Sequence, residues 1–574
     1  MPTLSQQQRS IADLCAARTH HIIADAVPGA GKSTTLVACA EGAKGVPTLL
    51  LCHNARVAEE MTRRLPSWAK ARTCHALALG VWLRTNPKAV FRKDKTLAAV
   101  RWVCEGNNPG RLRFPSWGKI LRLVNAARTV GYVPDGIPGM PHAPLNVEAL
   151  CEREEIDPSP YPFSVVAALV DASLRACIEH AGKQVDHESL YLTTMKEGLS
   201  WPKPGLLLID EAQDLDPLQI RLVERILAGA PDCRVVAVGD RWQAIYAWRG
   251  ADPQAIDRLG EALARTGRPV ASMFLMVSWR LPVSHVEYLR KRVPFARHVE
   301  AAPEARQGGV ITTMRHLPAS LCKGDLVICR WRAPLARLAA LLVRQGVPVR
   351  VLSARDGTAL SSLVLDCAGV TTPLNVGMVR VMARLSEIAS RAVRSGHKDA
   401  AVSAADRSET LQHLAAAVTY RNSAATVGDL VRLIGDIYDD EISHAHVTFA
   451  TIHRAKGAEA ERVFVLGLDE IPQSDPERDN LLYVALSRSR NELHLWPRDP
   501  QPVREERRET PPPRKTRMTR AEACAVLGLP SEPTADQIKS AYRRAALHHH
   551  PDRGGDRSLF ERATQARDAL SLPL

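Results

Sequence analysis

The sequence predicts an α/β chain, with parallel sheets wrapped by helices and a small all-α unit at its C-terminal end. Three observations predict it. A Gly-rich loop ending in Gly31-Lys32-Ser33 follows a short apolar run. An all-apolar run far downstream ends in two carboxylates, Asp210-Glu211. The last stretch carries two helix-capping boxes, each opening an amphipathic pattern.

The first element is His21-Ile22-Ile23-Ala24, a short buried strand, followed by Ala26-Val27-Pro28-Gly29-Ala30-Gly31-Lys32-Ser33-Thr34 and then helix formers. Strand, Gly-rich loop and helix in this order make a phosphate cradle. Gly29 and Gly31 let the backbone turn its N–H groups toward phosphate, and the helix N-terminus adds its dipole. Lys32 is expected to reach the β- and γ-phosphates of ATP, and the Ser33 hydroxyl to hold Mg²⁺. The usual first Gly of such loops is Ala26 here.

The second element is Leu206-Leu207-Leu208-Ile209-Asp210-Glu211. A strand apolar at every position is buried on both faces, so its acid groups emerge at the C-terminal edge of the sheet. Asp210 is expected at Mg²⁺, and Glu211 as the general base that polarises the attacking water.

Motifs that follow in order carry a family resemblance. Leu4-Ser5-Gln6-Gln7-Gln8 precedes the loop. Leu50 to Glu60, Thr73-Cys74-His75-Ala76-Leu77, Gly239 to Ala251, Val277-Ser278-Trp279-Arg280, Thr451 to Glu459 and Tyr483 to Arg490 succeed it. From about residue 4 to about residue 497 the chain resembles superfamily 1 DNA helicases of the UvrD/Rep type, and more closely their F-box DNA helicase-like relatives. The resemblance implies two RecA-like P-loop domains, ATP and Mg²⁺ as cofactors, and 3′ to 5′ movement on single-stranded or tailed duplex DNA.

By the same resemblance Gln8 reads adenine, although Ser5 and Gln8 also have the spacing of a capping box. Gln243 senses the γ-phosphate, Trp279 stacks on adenine, and Arg280 and Arg488 are the two arginines on the γ-phosphate. Gly457 and Glu459 join the nucleotide site. Asn54, Thr73, His75, Tyr246, Trp248, Arg249, Thr451 and His453 fall at positions that meet DNA. Trp248 is either a stacking platform for a base or a core residue; stacking suits a translocase because every base has a π-face. The motif around Asn54 departs from the family, with His53 for an aromatic and Ala55 for Lys. Ser487 stands where Thr is common.

Domain organisation follows from the motifs. Residues 1–78 with 196–281 are expected as RecA-like domain 1A, and 79–195, rich in Trp, Arg and Pro, as the inserted subdomain 1B. Residues 282–355 with 441–497 are domain 2A, with early strands at Asp325 to Arg330 and Pro348 to Leu352, and later ones at Val447 to Ala450 and Val463 to Leu466. Residues 356–440, Ala-rich and helical, are subdomain 2B, short for the family, so strand separation is less firmly implied than translocation. Residues 498–517, charged and Pro-rich, have almost nothing to bury and read as a semi-stiff linker.

Residues 518–574 have their own pattern. Thr519 with Glu522 and Thr534 with Gln537 are capping boxes. Ile538, Ala541, Tyr542 and Ala545 form an apolar face with Lys539, Arg543 and Arg544 opposite, and a third helix carries Phe560, Ala563, Ala566 and Leu570. With His550-Pro551-Asp552 between the helices, this segment resembles a DnaJ-type J-domain. The resemblance implies a DnaK-type chaperone as partner, met by Lys539, Arg543, His550, Pro551 and Asp552. Arg567 departs from the Tyr frequent there, and the fourth helix is missing.

Composition agrees with this. The chain has 574 residues, enough for several domains, and a formal net charge of +14, which suits a polyanionic partner. No run of about 20 residues is free of charge, so no membrane span is expected. The N-terminus lacks a secretory pattern, and the 12 Cys stand singly, as in a reducing cytoplasm. Adjacent histidines at 548–550 cannot all face one ion from a helix end, which argues against zinc. A monomer is expected. The alternative to a helicase in DNA replication, repair or recombination is a chaperone-coupled remodeller that displaces proteins from DNA with little unwinding. A helicase–nuclease subunit is a third reading, discounted because nothing after Arg490 resembles a nuclease.

Overall fold

In the computed structural model, the described residues are 4–311, 321–394, 398–440, 446–497, 518–549 and 557–571, less 246–253 and positions 109, 112, 115, 116, 141, 143, 155, 157 and 159. They divide into two compact units, Met1–Gln501 and Pro502–Leu574.

The larger unit is built on two wholly parallel sheets. The first has six strands in the order Ala69–Thr73, Thr48–Cys52, Leu206–Ile209, Arg234–Gly239, His21–Ala26 and Val270–Leu275. Ile22 lies beside Val236 and Leu50 beside Leu208. The inner strands bury both faces, which is why they read as unbroken apolar runs. Polar groups therefore collect where the strands end. Three neighbouring C-terminal ends present the Gly-rich loop after Ala26, Asp240 after Gly239, and Asp210-Glu211 after Ile209 in one row.

The second sheet has seven strands, in the order Gly309–Ile311, Ser489–Trp496, Ala460–Leu466, Leu326–Cys329, Val447–Thr451, Val349–Leu352 and Tyr438–Asp439. The expected strands at 326–329, 349–352, 447–450 and 463–466 are all present, and the edge strands Gly309–Ile311 and Tyr438–Asp439 had no clear pattern in the sequence.

The expected cut at 79 falls inside helix Cys74–Thr85, whose Leu77, Val81 and Trp82 pack with Leu190, Tyr191 and Met195 against the first sheet. A separate insert core, with Val100, Ile120, Leu123, Leu169 and Leu174, lies between them in sequence. Helices Ala354–Cys367, Leu374–Arg394, Lys398–Arg421 and Val427–Ile437 occupy the segment expected as 2B. Their Val364, Val381, Leu411 and Ile434 share one core with Val327, Val351 and Phe449 of the second sheet, so these helices do not form a body of their own. Among the described residues no helix is long and apolar enough to cross a membrane.

The smaller unit has helices Arg520–Leu527, Ala535–His549 and Arg557–Ser571 around Ala523, Leu527, Ile538, Ala541, Ala563, Ala566 and Leu570. Both capping boxes form: the Thr519 hydroxyl accepts from Glu522 N–H, and the Thr534 hydroxyl from Gln537 N–H. Gly528 takes the left-handed conformation (φ 63°) that ends the first helix. The Arg567 guanidinium lies 4.5 Å from the Tyr542 ring centroid. His550, Pro551 and Asp552 lie outside the described residues, as does the linker at 498–517.

A buried ion cluster fastens the insert. Glu188, with a fully buried side chain, bonds Lys95 on one oxygen and Arg128 Nη2 at 2.7 Å on the other. Lys95 Nζ also donates to the Cys177 carbonyl at 2.6 Å, and Arg128 Nη1 to Thr96 Oγ1 at 2.9 Å. Breaking such a group from one side leaves charge in a low-dielectric interior. Glu188→Gln is therefore expected to destabilise the insert by about 3–5 kcal/mol, measured as a lowered denaturant midpoint by intrinsic Trp fluorescence.

Candidate active site

The C-terminal edge of the first sheet faces the second half across a cleft of about 1300 Å³. Gly29, Ala30, Gly31, Lys32, Ser33 and Thr34 line one wall, with Asp210 and Glu211 beside them. Trp279, Arg280, Lys456, Gly457, Glu459 and Arg490 also line it. Residues from strands more than 400 positions apart in the chain therefore share one site.

The loop is tightly braced. Gly29 and Gly31 both have positive φ, 74° and 80°, and neither has room for a side chain. A Cβ on Gly29 would lie 2.4 Å from Arg280 Cβ, and one on Gly31 would lie 2.4 Å from Gln8 Nε2. Ser278 Oγ donates to the Pro28 carbonyl at 2.6 Å, and Trp279 N–H to the Gly29 carbonyl at 3.0 Å. Ala26, Val27 and Pro28 are buried beneath the cradle rather than on its surface.

At the acid end, Lys32 Nζ sits 2.6 Å from Glu211 Oε2, and Gln213 Nε2 donates to the same oxygen at 2.7 Å. Burial works against the Glu211 charge, but Lys32, Lys456 and the Gln213 hydrogen bond outweigh it and bring the carboxyl down to about 2. Asp210 is pushed the other way, up to about 7, by burial and by the neighbouring Glu211 charge. Two adjacent carboxyls are thus set apart in proton affinity, one in direct contact with Lys32 and the other dominated by burial and by its charged neighbour. Glu211 has φ 52° and ψ 48°, a left-handed backbone uncommon for a residue with a side chain. Strain of this kind persists where surrounding contacts over-determine it, often at functional sites.

The Asp210 carboxylate and the Ser33 hydroxyl are hard oxygen donors on one cleft wall, and Lys32 and Arg64 act on Asp210 too weakly to offset its burial and the Glu211 charge. That donor set fits Mg²⁺, which takes one or two protein oxygens and leaves its other positions to water and phosphate.

Behind the carboxylates lies a continuous polar network. Gln213 Oε1 accepts Asp240 N–H at 2.9 Å, and Gln243 Nε2 donates to Asp240 Oδ2 at 2.6 Å. Arg488 Nη2 donates to Gln243 Oε1 at 3.4 Å and to Ser487 Oγ at 2.7 Å. Arg488 is 1% exposed, and burial with the nearby Arg280 charge brings its guanidinium down to about 9. Arg280 Nε pairs with Glu459 Oε2 at 2.5 Å, and Arg490 binds the other Glu459 oxygen.

Gln8 performs the local role its spacing allowed. Its side-chain oxygen accepts Ser5 N–H at 2.9 Å and its amide nitrogen donates to Ala30 O at 3.2 Å, so both ends of the amide are engaged under the loop. Trp279 is 47% exposed on the cleft wall. Asn54 and His453 line the cleft. Asn54 Oδ1 caps helix Ala55–Arg64, and Thr73 Oγ1 caps helix Cys74–Thr85. His75 is set edge-on to His187 at 6.3 Å, and Thr451 Oγ1 accepts Arg454 N–H at 3.3 Å. Tyr246, Trp248 and Arg249 lie outside the described residues.

Several participants had no role in the sequence reading. Asp240 and Lys456 stand inside the quoted motifs and Gln213 and Asp214 just after the Asp210-Glu211 pair, which was their only signal; Arg490 closes the last motif. Ser278 was visible only as a neighbour of Trp279.

Comparison with known proteins places these features. The AAA domain family matches residues 7–249, the UvrD-like helicase C-terminal domain residues 446–496, and the DnaJ domain residues 523–573. The chain thus combines the domains of a UvrD-type helicase with a J-domain. Chaperone protein dnaJ A6 of Oryza sativa subsp. japonica is 46% identical over 48 residues, 8% of this chain and 12% of that protein. Mitochondrial import inner membrane translocase subunit TIM14-3 of Arabidopsis thaliana is 40% identical over 53 residues, 9% of this chain and 47% of that protein. This chain therefore spans only a minor part of the curated relatives it matches. Among solved structures, Arterivirus nonstructural protein 10 (helicase) aligns with 85% of this chain and 61% of its own at 11% identity, with a TM-score of 0.29, too low to carry an argument.

A Cβ on Gly239 would meet Gln213 Oε1 at 2.7 Å and Gln213 N at 3.1 Å. Gly239→Ala is therefore expected to push Gln213 off Glu211 and Asp240. ATP turnover should fall on the order of tenfold or more, with nucleotide affinity much less affected, as a steady-state assay beside a nucleotide-binding titration would read.

Proposed function

We propose that this chain, carrying the domains of a UvrD-type helicase followed by a DnaJ domain, is an ATP-driven 3′ to 5′ translocase and helicase on single-stranded DNA that recruits a DnaK-type chaperone. The observation that carries the motor is the shared cleft: a Gly-rich loop with Lys32, two carboxylates of opposed proton affinity, and Arg280 from the opposite wall. Direction of travel and the preference for DNA rest on the motif resemblance.

In this reading ATP draws Lys32 from Glu211 to its β- and γ-phosphates. Glu211, released from that cation, regains basicity and takes a proton from water as the water oxygen attacks the γ-phosphorus and the bond to the β–γ bridging oxygen breaks. Ser33 and Asp210 would hold Mg²⁺, which when bound would supply charge neutralisation to the phosphates. Arg280 exchanges Glu459 for phosphate, and Arg488 approaches through the Gln243 network; an arginine keeps its charge through such exchanges. Trp279 offers adenine an aromatic face. Tyr246, Trp248 and Arg249, with Asn54, Thr73, His75, Thr451 and His453, grip the strand.

The second reading, protein displacement with little unwinding, draws support from helices 354–437, which share the core of the second sheet instead of forming a separate body. Comparing unwinding of 3′-tailed and 5′-tailed duplexes with displacement of a DNA-bound protein separates the two. Activity confined to 5′ tails would overturn the assigned direction.

Glu211→Gln is expected to retain ATP binding and lose about 10²–10⁴-fold in DNA-stimulated turnover, because the base goes while the metal oxygens stay. Lys32→Ala should lose turnover as well. Normal hydrolysis by Glu211→Gln would contradict the assignment.

The J-domain reading rests on the capped helix pair and the DnaJ match at 523–573. His550→Gln in the full chain is expected to abolish stimulation of ATP hydrolysis by a DnaK-type chaperone in single turnover. The chain's own DNA-stimulated ATPase should be unchanged, since the smaller unit has its own core.

A further inference from the structure

Strand Arg234–Gly239 begins at Arg234, at the end of the first sheet opposite the nucleotide cleft. Two thiols meet beside it. Cys15 stands near the end of helix Gln6–Ala17, and Cys39 near the end of helix Lys32–Gly42. They are 1% and 0% exposed. Cys15 Sγ lies 4.0 Å from the Cys39 carbonyl oxygen, and the Cys39 S–H donates to the Cys15 sulfur. The Arg234 side chain is itself 4% exposed. Its Nε and Nη2 find no hydrogen-bond partner among the described residues, and its charge faces the same sulfur. Arg18, which caps helix Gln6–Ala17, adds a second positive charge.

A buried guanidinium is unfavourable unless an anion answers it. The Cys15 thiolate is the group placed to do so. Burial pushes the thiols of Cys52, Cys74 and Cys233 up to about 12. Cys15, also buried, is instead held below its ordinary value by the Cys39 hydrogen bond and by Arg234. The thiolate is the nucleophilic form, and Cys39 is a second thiol within its reach. Access comes from the helix end. Residues 16–19, next to Cys15, are exposed. Helix termini open at little cost in free energy, which admits a small oxidant.

We propose that Cys15 and Cys39 form a reversible oxidation site for hydrogen peroxide, with Cys15 as the attacking group and Cys39 as the resolving one. The Cys15 thiolate attacks one peroxide oxygen. The S–O bond forms, the O–O bond breaks, and the departing hydroxide takes the Cys39 proton and leaves as water. The Cys39 thiolate then attacks the sulfenic sulfur. The S–S bond forms, the S–O bond breaks, and the second hydroxide leaves, protonated by solvent. The bridge joins the helix whose Gln8 amide holds the Ala30 carbonyl to the helix that opens at Lys32. Its formation does not depend on the function proposed above.

The test treats the full chain with hydrogen peroxide, raised until the exposed Cys322 is oxidised, then alkylates it under denaturing conditions and digests it with trypsin. The expected product is residues 10–18 cross-linked to residues 33–44, separated again by dithiothreitol. Cys39→Ser should halt Cys15 at the sulfenic acid, which dimedone traps. Arg234→Gln should slow bridging by about tenfold, and Arg234→Lys, which keeps the charge, by much less. A merely structural Arg234 gives the opposite sign, because a loosened core exposes the thiols and speeds their oxidation. If Arg234→Gln does not fold, Arg234→Lys and Cys39→Ser carry the comparison. Cys15 and Cys39 both still open to alkylation at the dose that oxidises Cys322 overturn the proposal. So does unchanged or faster bridging in Arg234→Gln.

Discussion

The pairing of Lys32 with Glu211 is the contact on which the rest of the larger unit turns. It joins the Gly-rich loop to the end of a neighbouring strand, neutralises a cation and a carboxylate where water is scarce, and stores the charge that a phosphate ligand would exchange. Because the pair is partly buried, neither member can be left alone cheaply. The site is therefore poised: two of the cations that would meet phosphate already have a protein carboxylate, Glu211 for Lys32 and Glu459 for Arg280. Ligand binding in such a site is an exchange of partners, which keeps the net cost of desolvation low.

Parallel sheets impose the geography around that pair. Strands buried on both faces are largely apolar along their length, so Asp210, Glu211 and Asp240 stand just past the strand ends at Ile209 and Gly239. Two such sheets present their edges to one cleft, and the distance between nucleotide groups and the 451–459 loop is bridged by very few side chains. Arg488, Gln243, Asp240 and Gln213 form one route, and Lys456 with Asp214 a second. Both end on Glu211 or the turn that follows it, whose left-handed backbone is held from either side.

The smaller unit obeys different physics. Its core is a handful of Ala, Leu and Ile side chains, and its helices are started by capping boxes and, in one case, stopped by a left-handed glycine. These are local devices, which is why a short segment suffices. Arg567, a departure from the usual residue, stacks on Tyr542 and so retains a packed contact in place of an aromatic one.

The phosphate loop, the Asp210-Glu211 strand, the early strands of the second sheet and both capping boxes at the C-terminal end were legible in the sequence. Each depends on neighbours within a few residues: apolar runs, turn glycines, and hydroxyls three positions before a Glu or Gln. Gln8 illustrates the boundary. Its spacing with Ser5 was readable, but its second contact, to Ala30 beneath the loop, belongs to the fold. The sharing of one core by helices 354–437 and the second sheet, the Glu188 cluster, and the contact of Lys456 with Asp214 across 242 positions were decided only in three dimensions. Buried charge is the physical reason: a Lys, Glu or Arg looks like solvated surface in sequence, and only tertiary structure supplies the distant partner that makes its burial affordable.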